Sequence, residues 1–193
     1  PGLEVVVRRY LAVGTSPIEA YGRVAKKLGE TGDLTLQISD DQSNAISTAR
    51  VNFTREEKSI PGYPNDKGII SISLPLGEWK ITTKDNGRTA NEEIINIEEN
   101  GKHNLKTVLK EQSGVFFSIT KEDGSPSPCK AQIIGIEGTP SPKLGPVDRA
   151  HGCADQYHSE NGEFKIGLLP GKYKVIITRG IEHDHFEKVL EIN

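Results

Sequence analysis

The chain has 193 residues, enough for one large domain or two small ones. Lys and Arg number 24 against 27 Asp and Glu, and the formal net charge of −3 argues against a nucleic-acid binder, which carries a basic surplus. Hydrophobic residues make up only 34%, sparse for one large core, and no apolar run approaches the ~20 residues that span a bilayer. The start, Pro1-Gly2-Leu3-Glu4, is neither a signal peptide nor a targeting sequence, and the chain has no Met. We therefore read it as a mature or excised piece of something longer.

Residues 1–32 read as a strand and helix extension. Val5-Val6-Val7 and Tyr10-Leu11-Ala12-Val13 suggest one or two short strands. Ser16-Pro17-Ile18-Glu19 then opens a helix, with Ser as N-cap, Pro at the first helical position and an acid in the first turn. Ile18, Tyr21, Val24, Ala25 and Leu28 share one face, Lys26 and Lys27 occupy the last turn, and Gly29 ends it.

From Asp33 the period changes to two. Leu34, Leu36 and Ile38 alternate with polar residues, as do Ala49, Val51 and Phe53 beyond a polar turn. A loop is expected at Pro61 to Gly68, then strands around Ile70 to Leu74, Trp79 to Thr83, Ile95 to Ile97 and Leu105 to Leu109. Short strands every 8–12 residues with turn signals between them indicate a β-sandwich.

The second half repeats this plan. Val115, Phe117 and Ile119 answer Leu34, Leu36 and Ile38; Ala131 and Ile133 answer Ala49 and Val51. Asn161-Gly162-Glu163-Phe164 answers Asp66-Lys67-Gly68-Ile69, and Leu169-Pro170-Gly171-Lys172-Tyr173 answers Pro75-Leu76-Gly77-Glu78-Trp79. Ile119 follows Ile38 by 81 residues and Gly171 follows Gly77 by 94, so about 13 residues are inserted within 137–158. The expected fold is mainly β: two tandem Ig-like or transthyretin-like antiparallel sandwiches, at 33–111 and 112–193, behind the strand–helix segment.

The strand and acidic-Gly turn of Val115 to Pro126, the Asn161-Gly162-Glu163-Phe164 hairpin and the Leu168-Leu169-Pro170-Gly171-Lys172-Tyr173 corner resemble the carboxypeptidase regulatory-like (transthyretin-like) sandwich. The first copy departs from the pattern. Its corner, Leu-Pro-Leu-Gly-Glu-Trp, is one residue looser, and its turn at Asp40-Asp41-Gln42 lacks Gly. Arg9-Tyr10-Leu11-Ala12-Val13-Gly14 before a helix, the two modules and Thr178-Arg179-Gly180-Ile181-Glu182 together look like the region preceding the catalytic domain of bacterial metallohydrolases. These belong to the polymerase and histidinol phosphatase (PHP) superfamily. The resemblance implies a parent whose metal-binding His-x-His lies later in the chain.

Several groups of residues are candidates for chemistry. His183 and His185, spaced i and i+2 on a strand, would turn both imidazoles to one face and suit a divalent metal. No series of further ligands follows them, and two exposed imidazoles on a solvated edge is the plainer reading. The insertion carries Arg149, His151, Asp155, Tyr157 and His158, a polar and aromatic mixture suited to a sugar, a peptide or a partner domain. Alternatively it is a structured crossover loop, packed by Leu144. Cys129 and Cys153 could form one bridge in an oxidising compartment or remain two thiols. Trp79 matches Tyr173 and is expected in the core.

There is no Gly-x-Ser-x-Gly, no phosphate loop, no dinucleotide fingerprint and no calcium-loop spacing. The reading is a non-catalytic accessory region, needing no cofactor, that serves as a spacer or binds a partner or substrate. Its expected partners are the parent's catalytic domain or a protein or glycan ligand, with no nucleic acid and no membrane insertion. Two alternatives remain: an extracellular glycan-binding sandwich stacking sugars on Tyr63, Tyr157 or Trp79, and a small metal-dependent hydrolase built on His183 and His185. Sandwich modules of this sort are more often extracytoplasmic.

Overall fold

The computed structural model describes residues 5–145 and 155–193. Helix α1 (Pro17–Leu28) is followed by β1 (Thr31–Asp40), β2 (Arg50–Arg55), β3 (Lys58–Gly62), β4 (Ile69–Pro75), β5 (Gly77–Lys84), β6 (Asn91–Ile97) and β7 (Lys102–Leu109). The second half holds β8 (Gly114–Ser118), β9 (Cys129–Ile136), β10 (Gln156–Ser159), β11 (Glu163–Gly167), β12 (Gly171–Thr178) and β13 (Phe186–Ile192).

The chain forms two tandem β-sandwiches. In the first, a sheet ordered β3-β2-β5-β6 faces one ordered β4-β1-β7. In the second, β10-β9-β12-β13 faces the pair β11-β8. Strand for strand, β8 to β13 repeat the order of β1 to β6. Each sandwich has its own buried apolar cluster, one built on Leu36, Ile38, Phe53, Trp79 and Ile81, the other on Phe117, Ile133, Phe164, Tyr173 and Val175. The alternation of buried and exposed residues along β1, β4 and β5 is the period-two pattern of a strand with one face on a core. Among the described residues all strand pairings are antiparallel except β1 with β7, which run parallel and in register from Asp33–Lys102 to Asp40–Leu109. This corrects the all-antiparallel expectation.

Main-chain hydrogen bonds recur at equivalent places. Ile38 N donates to Gly68 O at 2.8 Å and Ile119 N to Gly162 O at 2.9 Å. Ile46 N donates to Ile38 O at 3.1 Å and Ser127 N to Ile119 O at 3.0 Å. In the turn after β1, Ser43 adopts φ 68°, and Gly124 adopts φ 81° in its counterpart. A serine thus occupies the left-handed position that the second copy gives to glycine. Asp40 steadies the first turn by accepting from Asn44 N at 2.7 Å and Gln42 N at 3.0 Å. The corners before β5 and β12 also match. Trp79 Nε1 donates to Pro75 O at 2.8 Å, and Tyr173 O–H donates to Leu169 O at 2.9 Å, each reaching back four residues. The first corner is therefore no looser than the second.

Four details differ from the sequence reading. Residues 5–14 form no strand, and Val5, Val6 and Val7 are all more than 70% exposed. Their apolar residues run together instead of alternating, a pattern that does not by itself fix a strand. The loop expected from Pro61 overlaps β3, an edge strand that tolerates Pro because one side of its ladder faces away from the sheet. The end of the expected insertion, likewise, is β10. Finally, pairing through β5 and β12 aligns Ala131 with Val51 and Ile133 with Phe53, two residues from the alignment expected above. A two-residue slip preserves every inward position, so alternation alone does not detect it.

Helix α1 is capped as expected: Ser16 Oγ accepts from Glu19 N at 3.3 Å, and Ile18, Gly22 and Ala25 are buried. The helix packs along β4 and reaches β3, where a Cβ on Gly62 would stand 2.6 Å from Ile18 Cδ1. At the equivalent position of the second sandwich stands Tyr157, which pairs with Ala131 as Gly62 pairs with Val51. Its ring stacks on Phe164 with centroids 4.9 Å apart. One tyrosine side chain thus fills, in the second core, the place that the helix fills in the first.

Thr83 on β5 is fully buried, and its Oγ1 has no hydrogen-bond partner among the described residues; the same holds for Oδ1 of Asn91 opposite it. Tracing the corner to Ile177 shows that the second copy carries an apolar residue here. Thr83→Val removes an unpaired buried hydroxyl at constant shape and is expected to raise stability by about 1 kcal/mol. Urea denaturation measures it, and a loss of stability would show that the hydroxyl is paired in solution.

Candidate functional site

The two sandwiches meet through main-chain groups. The linker residue Ser113 donates its N–H to Gly87 O at 2.9 Å and accepts from Leu168 N at 3.0 Å, while its hydroxyl contacts Leu168 O. Gln112 Nε2 donates to Asn86 O at 2.8 Å. The linker is therefore clamped between the β5–β6 turn of the first sandwich and the β11–β12 turn of the second. Within the β5–β6 turn, Arg88 pairs with Asp85 at 3.2 Å, both largely buried, and reaches Lys110 O.

The insertion supplies a second tie. It grows from the β9 end at Glu137 (φ 53°) and Gly138 (φ 87°), where the first sandwich has only the tight Glu56–Glu57 turn. Its described arm folds over the first sandwich. Arg50 donates from Nη2 to Lys143 O at 3.1 Å and to Gly145 O at 3.3 Å, and Asn86 Nδ2 donates to Lys143 O at 2.8 Å. Thr139 Oγ1 accepts from Lys172 N at 3.0 Å, anchoring the arm at its base. Leu144 packs against the second core.

Between the arm and the first sandwich lies a cleft of about 600 Å³, walled by Tyr63, Asn52, Pro140, Pro142 and Leu169. Arg50, Lys84, Arg88 and Lys143 line it, with Asp85 as the one carboxylate among the described lining residues. Arg88 is neutralised by Asp85, whereas Arg50 binds carbonyls, which satisfy its donors without cancelling its charge. The cleft is thus a positive recess on a chain of net negative charge.

Of the candidate site residues, the described Asp155, Tyr157, His158, His183 and His185 are not part of the cleft lining. Arg149, His151 and Cys153 lie outside the described residues. Asp155 Oδ2 accepts from Gln132 Nε2 at 2.7 Å. Tyr157 and His158 are successive residues of β10 and point to opposite faces, Tyr157 half-buried on Phe164 and His158 exposed. Cys129 is buried at the start of β9, and burial pushes its thiol pKa up. His183 and His185 are exposed and precede β13 instead of lying in it, so strand geometry does not align them. His185 Nε2 lies 3.6 Å from Glu187 Oε1. No group of three or more His, Cys, Asp or Glu side chains able to hold a metal occurs among the described residues. Trp79 is 2% exposed and offers no face to a sugar; the aromatics of the described cleft lining are Tyr63, which is half-buried, and Tyr173, which is buried in the second core. No described helix is long and apolar enough to cross a membrane.

No protein-family model matches the chain, and no curated protein sequence does. Among solved structures it is similar to the Bacillus anthracis TIE protein at 15% identity and TM-score 0.41, over 85% of this chain and 31% of that one. It is also similar to a streptococcal ancillary pilin at 13% identity and TM-score 0.44, over 83% of this chain and 59% of that one. A shaft pilin from Lactobacillus rhamnosus GG matches at 13% identity and TM-score 0.40, over 83% of this chain and 93% of that one. The chain thus spans less than two thirds of the first two proteins.

Proposed function

We propose that this chain is a non-catalytic accessory region of a longer protein, a two-sandwich spacer divided at residues 111 and 112. In this reading it sets the position of a catalytic domain and offers its surface to a partner or substrate. The observation that carries it is the clamped junction. A flexible tether would leave the linker solvated, whereas here Gln112 and Ser113 are bonded to both sandwiches and Arg50 bolts the insertion across the gap. The insertion then acts as a brace, and among the described residues assigned to partner contact His158 is the exposed one. The tandem carboxypeptidase regulatory-like pattern, with the Arg9–Gly14 and Thr178–Glu182 segments, supports a metallohydrolase of the PHP superfamily as the parent.

Joint motion of the two sandwiches tests the spacer role. By backbone ¹⁵N relaxation they should tumble with one correlation time, and the double variant Arg50→Ala, Asn86→Ala should lower the apparent correlation time of each. Its cost in stability should stay at about 1–2 kcal/mol, because only hydrogen bonds at half-exposed sites are lost. Independent tumbling of the unaltered sandwiches would remove the basis for a rigid spacer.

A further inference from the structure

The repeat is incomplete at one edge. In the first sandwich β1 lies between β4 and β7; in the second, β8 pairs with β11 alone, and among the described residues no strand lies along its other edge. An unpaired edge presents a row of main-chain donors and acceptors to any extended segment. The side chains record the same gap. Leu34, Leu36 and Ile38 on β1 are 1%, 0% and 0% exposed, while their counterparts Val115 and Ile119 are only partly buried and Phe117 is 8% exposed. Ile97 at the end of β6 is 2% exposed, whereas Ile192, at the same register on β13, is half-buried. Leu105, Thr107 and Leu109 of β7 supply the missing cover in the first core. The opposite opening of the second core, which α1 closes in the first, is already closed by Tyr157. One side is sealed from within the repeat and the other is not.

We infer that the free edge of β8 takes a seventh strand, parallel to β8 and opposite residues 114–121, from polypeptide C-terminal to Asn193. This rests on the reading above that the chain belongs to a longer protein. The first sandwich shows that the connection is feasible: β7 follows β6 after the four residues Glu98 to Gly101 and then runs beside β1 in parallel register. The incoming strand should carry the β7 pattern, with apolar or small side chains at alternate positions facing Phe117 and Ile119 and polar ones outside. Such a strand would join the β8–β11 pair into a three-stranded sheet like β4-β1-β7. The rival occupant is the exposed, unpaired segment of residues 5–13 of a second copy, whose Val and Leu side chains could also lie on this edge.

Hydrogen–deuterium exchange decides between them. The amides of residues 114–120 should exchange at least ten-fold more slowly in the natural polypeptide continuing past Asn193 than in the chain of 193 residues. A second form, in which Asn193 is followed by a copy of the Glu99–Leu109 sequence, should recover part of that protection. Equal exchange in all three forms would overturn the proposal. So would protection in the 193-residue chain that grows with protein concentration and vanishes when residues 1–14 are removed, since the edge would then belong to a second copy. Neither result bears on joint tumbling of the sandwiches, so the spacer reading stands or falls separately.

Discussion

Replacing Trp79 with alanine is expected to cost the first sandwich about 4 kcal/mol, within the range for a large aromatic removed from a packed core. The ring is buried among the residues that join the two sheets, and its Nε1 ties the strand back to Pro75 O. Alanine therefore opens a cavity and also leaves that carbonyl without its donor. Trp79→Phe separates the two effects: it keeps much of the apolar volume, loses the hydrogen bond and should cost about 2 kcal/mol. In the second copy Tyr173→Phe removes only the bond to Leu169 O and should cost about 1 kcal/mol. Urea denaturation followed by far-ultraviolet circular dichroism reads all three. A Trp79→Ala loss below that of Tyr173→Phe would place the indole outside the core.

The second large effect is at Gly162. It sits at φ 75° in the turn before β11, and a Cβ there would run into the Ile119 carbonyl oxygen and stand 2.7 Å from Ser127 O. Both obstacles are backbone, which cannot swing aside as a side chain can. Gly162 O also accepts from Ile119 N, so the turn cannot withdraw without breaking the bond that holds β8. Gly162→Ala is expected to cost about 3 kcal/mol, combining about 1–2 kcal/mol for the left-handed backbone with the steric conflict. Gly124→Ala is the control. Its φ of 81° carries the same conformational cost, but no atom lies within 4 Å of the added Cβ, so only about 1 kcal/mol should be lost. Equal losses at the two positions, measured by chemical denaturation, would show that the backbone at residues 119 and 127 gives way.

The strands were legible because alternation with one buried face is a strong constraint: Leu34, Leu36 and Ile38 announce β1, and Ser16-Pro17 announces α1. Register was less legible, since Ala131 and Ile133 keep their inward faces under a shift of two. The left-handed turn at Ser43 was hidden because a serine occupies a position that glycine marks in the second copy. The junction left almost no trace in the sequence. Its acceptors include the carbonyls of Asn86, Gly87, Lys143, Gly145 and Leu168, groups every residue possesses, and the side chains that reach them, from Arg50, Asn86, Gln112 and Ser113, are ordinary polar residues scattered along the sequence. Conversely, His183 and His185 drew notice through their chemistry, but the residues around them form an exposed turn, where spacing in sequence does not fix spacing in space.

The contrast between Ile18 over Gly62 and Tyr157 over Phe164 bears on how the molecule can be cut. The first sandwich borrows its plug from a helix that precedes the repeat, so a fragment starting at Asp33 would leave a glycine-floored notch open to water. The unit that can be moved intact to another protein therefore begins ahead of Ser16, with the helix cap included. The second copy carries its plug on its own β10 strand. On that side it is portable without help from upstream, which makes the two halves unequal as building parts despite their common plan.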